Sequence, residues 1–184
     1  MFQEAERLKR ETMRRSGSLL LAILASISPS RSLAAQEKPD VRARLIAPER
    51  VEAPSKRRLV VELVIGPRWH VNSHLPSEPY LIPTNAVLTA SKGTVSLVRY
   101  PKDVERRFEF SEKPLRVYEG TVRLEATLDV PAGSRGEIQV GGELSYQACD
   151  ERRCFAPAKI PLQATISIVG GQALPAGTEV GRRQ

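Results

Sequence analysis

The segment Thr121–Val130 alternates strictly between polar and apolar residues. Its apolar residues occupy every second position: Val122, Leu124, Ala126, Leu128 and Val130. A period of two residues predicts a β-strand with one face in a core and the other towards solvent. A chain with such a strand needs partner strands at its edges and an apolar layer against its buried face, which points to an all-β protein.

Shorter segments with strand character lie on both sides of this one. Only 5% of the residues are aromatic and 14 are prolines, which favours short strands and turns over long helices. The alternation in residues 138–146 is interrupted by Gly141 and Gly142, which predicts a β-bulge. Prolines break the stretch 69–84, which predicts a loop or an edge excursion. The other predicted strands are residues 41–47, 59–65, 86–90, 95–100 and 160–168.

Seven to nine short antiparallel strands predict an immunoglobulin-like antiparallel β-sandwich. Residues 36–170 are expected to form this domain, and residues 171–184 a flexible tail.

The N-terminal residues 1–35 have the features of a secretory signal peptide. A basic segment ends at Met13-Arg14-Arg15, an apolar run spans residues 19–27, and small residues follow near Ala35. Met13 is an alternative start that leaves a compact signal. The apolar run is about half of the roughly 20 residues that a membrane-spanning helix needs. We therefore expect an exported protein without a stable membrane span in its mature chain, in a compartment where disulfides persist.

The charge of the chain gives no indication of nucleic-acid binding. The net charge is +7 for 184 residues, and residues 1–35 hold six of the 28 basic and three of the 21 acidic residues, so the remainder carries 22 − 18 = +4. Basic residues are not clustered with stacking aromatics, as a nucleic-acid partner requires. The sequence also lacks a serine triad order and a glycine-rich phosphate loop, so we predict no cofactor.

Cys149 and Cys154 are the only cysteines, and four residues separate them. Three interpretations are open from the residues alone: a structural clasp, a redox couple or a metal site. Closing a loop of about six residues removes only roughly 2 kcal/mol of denatured-state entropy, so such a disulfide would stabilise the fold only weakly. Arg152 and Arg153 favour a thiolate at the adjacent Cys154, whereas the neighbouring Asp150 and Glu151 oppose one at Cys149.

His70 and His74 are the only histidines, and they could join the cysteines in a metal site. Their spacing suits one face of a helix, but prolines break the segment that contains them. We therefore interpret them as surface or hydrogen-bonded loop histidines, and Trp69 as a core or rim aromatic. No metal is predicted.

The residues around the cysteines resemble a known family. Tyr146-Gln147-Ala148-Cys149, followed by Cys154 and Pro157, is similar to the N-terminal periplasmic domain of the thiol:disulfide interchange protein DsbD. Trp69-His70-Val71-Asn72, with Pro76 and Leu81-Ile82-Pro83-Thr84, is similar to stand-alone bacterial members. The resemblance covers roughly residues 38–170.

This resemblance implies an immunoglobulin-like domain that relays electrons by thiol–disulfide exchange. Cys154 would form the mixed disulfide and Cys149 would resolve it, with Phe108 or Phe110 as an aromatic cap unless these are ordinary core or rim residues. The implied partners are thioredoxin-like periplasmic proteins and a membrane electron donor. The candidate supporting residues are Tyr146, Trp69, Arg152 and Arg153.

Two departures from the family bear on these expectations. Four residues separate the cysteines where the best-known member has five, which affects the loop and its reduction potential. The membrane and thioredoxin-like domains that supply electrons are absent from this sequence, so another protein is expected to act as the reductant. The alternative function is a non-catalytic periplasmic binding or assembly module with a structural disulfide.

Overall fold

The computed structural model describes residues 38–170, which form twelve β-strands and no helix. This part of the chain therefore has no apolar helix that could cross a bilayer. The predicted signal peptide (1–35) and tail (171–184) lie outside the described residues. The strands are β1 (Val41–Ile46), β2 (Arg50–Val51), β3 (Ser55–Ile65), β4 (His70–Asn72), β5 (Asn85–Ala90), β6 (Thr94–Val95), β7 (Val104–Arg106), β8 (Leu115–Tyr118), β9 (Thr121–Val130), β10 (Gly136–Tyr146), β11 (Ala148–Cys149) and β12 (Ala158–Ile168).

Two four-stranded sheets pack face to face. The first has the order β1-β3-β9-β6 and the second the order β2-β12-β10-β5, with β2 running parallel to β12 and every other pairing antiparallel. Leu63 and Leu124 from the first sheet share one core with Leu144 and Leu162 from the second. Burying a leucine side chain contributes about 1.5–3 kcal/mol. The predicted immunoglobulin-like antiparallel β-sandwich is confirmed.

A second apolar cluster extends this core along the sandwich. Its members come from both sheets and include the alternating residues of β9 and β10: Val51, Leu59, Ala126, Leu128, Val130, Ile138, Val140 and Ile166. The alternation of Thr121–Val130 therefore places its apolar positions between the sheets, as the sequence predicted.

A smaller third sheet has the order β11-β4-β8-β7 and holds the cysteine segment. We call it the site sheet. The prediction of a loop across residues 69–84 is wrong for β4, because Val71 pairs with Ala148 on one side and Tyr118 on the other. All three residues of β4 are buried. Three residues are too few for a periodic pattern, and the prolines that suggested a loop begin only at Pro76.

The predicted bulge at Gly141 and Gly142 is also wrong. The pairing of β10 runs without a break through Gln163 and Leu162 of β12 and through Thr89 and Leu88 of β5. A Cβ atom on Gly142 would lie 2.0 Å from the carbonyl oxygen of Val87. Glycine therefore permits a close approach of the neighbouring strand here.

The predicted strand 95–100 is mostly irregular. Only Thr94–Val95 forms strand β6, and one isolated bridge joins Arg99 to Glu125. The Ser96 hydroxyl accepts a hydrogen bond from the Thr127 amide at 2.9 Å, so a side chain replaces a backbone acceptor there. Leu97, in this irregular segment, is 92% exposed.

Candidate functional site

The two cysteines form a disulfide at one end of the site sheet. Their sulfur atoms are 2.07 Å apart and their Cα atoms 3.9 Å apart. Cys149 is the last residue of β11, and an isolated antiparallel bridge sets Cys154 opposite it. Cys149 is 0% exposed, whereas Cys154 is only partly buried. Cys154 is therefore the more accessible of the two cysteines.

The loop between the cysteines is held by Asp150. The amides of Arg152 and Arg153 each donate to Asp150 Oδ1 at 2.8 Å, and the Asp150 amide donates to the Arg153 carbonyl at 2.9 Å. Burial alone would raise the pKa of Asp150, but these hydrogen bonds and the two arginine charges lower it. Asp150 was expected to oppose a thiolate at Cys149, whereas its carboxylate accepts hydrogen bonds from the loop backbone.

Gln147 joins the cysteine segment to the loop that follows β4. Its Oε1 accepts hydrogen bonds from Asn72 Nδ2 at 3.0 Å and from the Ile82 amide at 3.2 Å, while its Nε2 donates to the Phe155 carbonyl at 3.1 Å. Gln147 belongs to the motif Tyr146-Gln147-Ala148-Cys149, but no role was predicted for it from the sequence. No local signal identified this role, because Gln147 falls on the polar positions of the alternation, like Glu143 and Ser145 before it.

Phe155 and Arg153 form an aromatic contact next to the cysteines. The ring of Phe155 packs edge-on against Trp69 with centroids 5.1 Å apart, and the Arg153 guanidinium lies 4.9 Å from the Phe155 ring centroid. Trp69 and Tyr146 are buried in the sandwich core, and burial raises the pKa of Tyr146. Arg152 and Arg153 are both exposed, and Arg153 contacts the ring of the residue that follows Cys154.

The two cap candidates lie against the site sheet. Phe108 is 6% exposed and belongs to a small apolar cluster with Leu115 and Val117. Its ring stacks on His70 with centroids 3.9 Å apart, and the Phe110 ring stacks on Phe108 at 5.4 Å. Phe108 therefore covers His70, whose cross-strand partner is Cys149.

The two histidines have different surroundings. His70 is 2% exposed, so its interpretation as a surface or hydrogen-bonded loop residue is wrong: it lies in β4, and its Nε2 is buried without a hydrogen-bond partner. His74 stacks on Tyr100 at 4.2 Å and its Nδ1 is 2.8 Å from the Tyr118 hydroxyl. Among residues 38–170, no group of three or more histidine, cysteine or acidic residues is arranged to hold a metal ion.

A cleft of about 510 Å³ lies beside the disulfide loop. Its walls include aromatic and charged side chains from the site sheet and the loop: Trp69, His70, Arg106, Phe108 and Glu151. This mixed lining places both signs of charge near the cysteines.

Most of the described residues match a known protein family. Residues 42–163 match the family described as "Thiol:disulfide interchange protein DsbD, N-terminal". No curated protein matches the chain.

Two similar solved structures cover different shares of their chains. The N-terminal periplasmic domain of ScsB from Proteus mirabilis is 16% identical with a TM-score of 0.45, over 67% of this chain and 44% of that chain. The DsbD N-terminal domain of Neisseria meningitidis in the reduced form is 17% identical with a TM-score of 0.38, over 58% of this chain and 78% of that chain. The chain thus spans less than half of the ScsB chain.

Proposed function

The chain belongs to the family of the N-terminal domain of the thiol:disulfide interchange protein DsbD, and from this membership we propose that it relays electrons between proteins through Cys149 and Cys154. The family match includes both cysteines, which confirms the resemblance that the sequence showed. The chain is therefore a thiol:disulfide interchange domain with a cysteine pair.

The unequal exposure of the two sulfurs carries the proposal. Cys154 is partly exposed, and Cys149, directly opposite it in an antiparallel bridge, is completely buried. Thiol–disulfide exchange needs one sulfur that a partner can reach and a second that stays close enough to displace it. These two positions supply both.

The exchange follows from this arrangement. In the reduced domain, the Cys154 thiolate attacks a sulfur of the partner's disulfide, and the electron pair of the broken bond leaves on the partner's other sulfur. The Cys149 thiolate then attacks Cys154 Sγ, which re-forms the internal disulfide and releases the partner with two added electrons. The reverse sequence reloads the domain from a donor dithiol.

The loop conformation does not depend on the disulfide alone. The hydrogen bonds to Asp150 and the bond from the Phe155 amide to the Ala148 carbonyl, at 2.8 Å, hold both sides of the loop. The backbone can thus keep Cys149 and Cys154 together while the bond between their sulfurs opens and closes.

The proposed partners are thioredoxin-like proteins and a membrane electron donor in the periplasm. Thioredoxin-like proteins present an accessible cysteine pair of their own, which suits exchange at a partly exposed sulfur. The predicted signal peptide supports export to this compartment.

Trapping tests the assignment of the two sulfurs. Cys149→Ser leaves Cys154 able to form a mixed disulfide that no internal thiol can resolve. We expect covalent adducts with thioredoxin-like proteins in a periplasmic extract, seen as reducible bands on a gel and identified by mass spectrometry.

Cys154→Ser is the matched control, because it keeps one thiol but leaves only the buried Cys149. We expect no adducts from it or from the double variant. Equal trapping by Cys154→Ser would overturn the assignment of the attacking sulfur. No trapping by Cys149→Ser, together with a wild-type disulfide that thioredoxin cannot reduce, would favour the non-catalytic module.

A further inference from the structure

His70 is the residue directly across the site sheet from the buried cysteine. The antiparallel pairing of β4 with β11 makes His70 and Cys149 register partners. Side chains of directly paired residues point to the same face, with Cβ atoms about 4.5–5.5 Å apart. The imidazole of His70 therefore stands on the side of the sheet where the Cys149 sulfur stands.

The ring of His70 is fixed and has an unused polar atom. Phe108 stacks on one face of the ring, and Nε2 is buried without a hydrogen-bond partner. A buried polar atom without a partner destabilises the state that contains it. Such an atom next to a reactive group indicates a partner that is present in another state of the site.

The nearest charges are already engaged with other groups. Burial lowers the pKa of His70 to about 4. The negative charges of Glu119 and Asp150 raise this pKa, but by less than burial lowers it. Glu119 is paired with Arg106 at 2.7 Å, and Asp150 accepts hydrogen bonds from the loop backbone. His70 is therefore neutral near pH 7, with one ring N–H to donate.

We propose that His70 Nε2–H is the hydrogen-bond donor that stabilises the Cys149 thiolate when the disulfide opens. This inference rests on the proposed function. When a thiolate of a donor dithiol attacks Cys154 Sγ, a bond forms there, the Cys149–Cys154 bond breaks, and its electron pair goes to Cys149 Sγ. The new thiolate is buried, and His70 supplies a donor without giving up its proton.

The two redox states then differ in one hydrogen bond. In the oxidised state Nε2 has no partner; in the reduced state it donates to an anion, where hydrogen bonds are strong. His70 thus favours reduction of the pair and lowers the pKa of the Cys149 thiol.

Two measurements on variants test this role. His70→Leu keeps a side chain of similar bulk without a donor, and His70→Gln offers an amide Nε2–H. We expect His70→Leu to lower the equilibrium constant for reduction by glutathione at least tenfold, which is about 30 mV. His70→Gln should recover most of this loss.

The thiol pKa separates a hydrogen bond from a packing effect. In the Cys154→Ser background, His70→Leu should raise the pKa of Cys149, measured from the pH dependence of thiolate absorbance, and His70→Gln should return it towards the original value. His74→Leu, which removes the other histidine, should change neither quantity. If His70→Leu does not fold, His70→Asn replaces it in the test, because the shorter asparagine amide does not reach the Cys149 sulfur.

The outcomes distinguish this inference from the proposed function. A folded His70→Leu or His70→Asn with unchanged reduction equilibrium and unchanged Cys149 pKa would overturn the role of His70 while leaving the relay intact. A wild-type disulfide that neither glutathione nor thioredoxin reduces would overturn both. A lowered equilibrium constant that His70→Gln fails to recover would also count against the donor.

Discussion

The sandwich and the site sheet are built in different ways. The inner strands of the sandwich, β3, β9, β10 and β12, have ten or eleven residues, with long unbroken registers and two apolar cores. The site sheet has strands of two to four residues. Side chains add to these short strands: Gln147 accepts hydrogen bonds from Asn72 of β4 and from the Ile82 amide, and Asp103 accepts one from Arg116 of β8.

The difference shows where each region obtains its stability. Backbone hydrogen bonds between long strands and buried leucines stabilise the sandwich, so its stability is distributed over many residues. In the site sheet a few polar side chains fix the cysteine segment, and two of its buried polar atoms, His70 Nε2 and Asn72 Oδ1, have no partner. Unsatisfied buried polar groups are rare in folded proteins, and a redox or catalytic role is one of the reasons for which they are kept. Stability and exchange chemistry should therefore respond to different substitutions.

The largest expected effect on stability is in the sandwich. Leu124→Ala removes a side chain that is 0% exposed between the sheets. The free energy of unfolding should fall by about 3 kcal/mol, through lost burial and a residual cavity. Denaturant unfolding measures this. The reduction equilibrium of the disulfide should stay the same.

Leu97→Ala is the matched control for this prediction. It removes the same side chain at a position that is 92% exposed, so unfolding should change by less than about 0.5 kcal/mol. A Leu124→Ala variant that loses little stability but shifts the reduction equilibrium would show that the two regions are not separate.

The second expected effect is a pH dependence that originates in the site sheet. The unfolded chain binds a proton at His70 as the pH falls through about 6.5, whereas burial delays this in the folded state until about pH 4. Protons therefore favour the unfolded chain between these values, and stability falls as the pH drops. Between pH 7.5 and 5 this loss is about 2 kcal/mol.

Denaturant unfolding at the two pH values checks this sign and size. His70→Gln has no titrating group at this position, so its stability should fall by about 2 kcal/mol less than that of the wild type. His74→Gln serves as the comparison, because His74 is less buried and hydrogen-bonded to Tyr118. Equal pH dependence in the wild type and His70→Gln would contradict the buried neutral imidazole.

The smallest expected effect concerns the side-chain connections of the site. Gln147→Leu removes the acceptor of the Ile82 amide and the donor to the Phe155 carbonyl. The net loss of stability should be about 1 kcal/mol. Hydrogen exchange should show lost protection at Ile82, while amides in β3 and β9 keep theirs. Unchanged protection at Ile82 would show that Gln147 does not hold this loop.

The sequence allowed most of the sandwich to be predicted. The alternation in β9 and in β12 extends over many residues, so the period of two was visible, and the two cysteines were identified as the candidate site. The four strands of two to four residues that carry the site, such as β4, were missed because such short segments have no period. The β-bulge predicted at Gly141 and Gly142 was wrong, because glycines within a strand are typical both of a bulge and of a close approach by a neighbouring strand.

The roles of Gln147 and His70 were also missed. Gln147 acts on atoms of Asn72, Ile82 and Phe155, which are up to 75 positions away in the chain. His70 pairs with a cysteine 79 positions further on (149 − 70). Neither relation leaves a local pattern in the sequence.

The sequence by itself determined the class of fold and the candidate site: alternation dictates two apolar faces that must meet, and a single cysteine pair restricts the proposed exchange to one place. Only the tertiary structure decided which sulfur is buried, which is reachable and that a neutral histidine stands opposite the buried one. Burial and cross-strand pairing arise when distant segments pack together, and the free energy of that packing is not a property of any one segment.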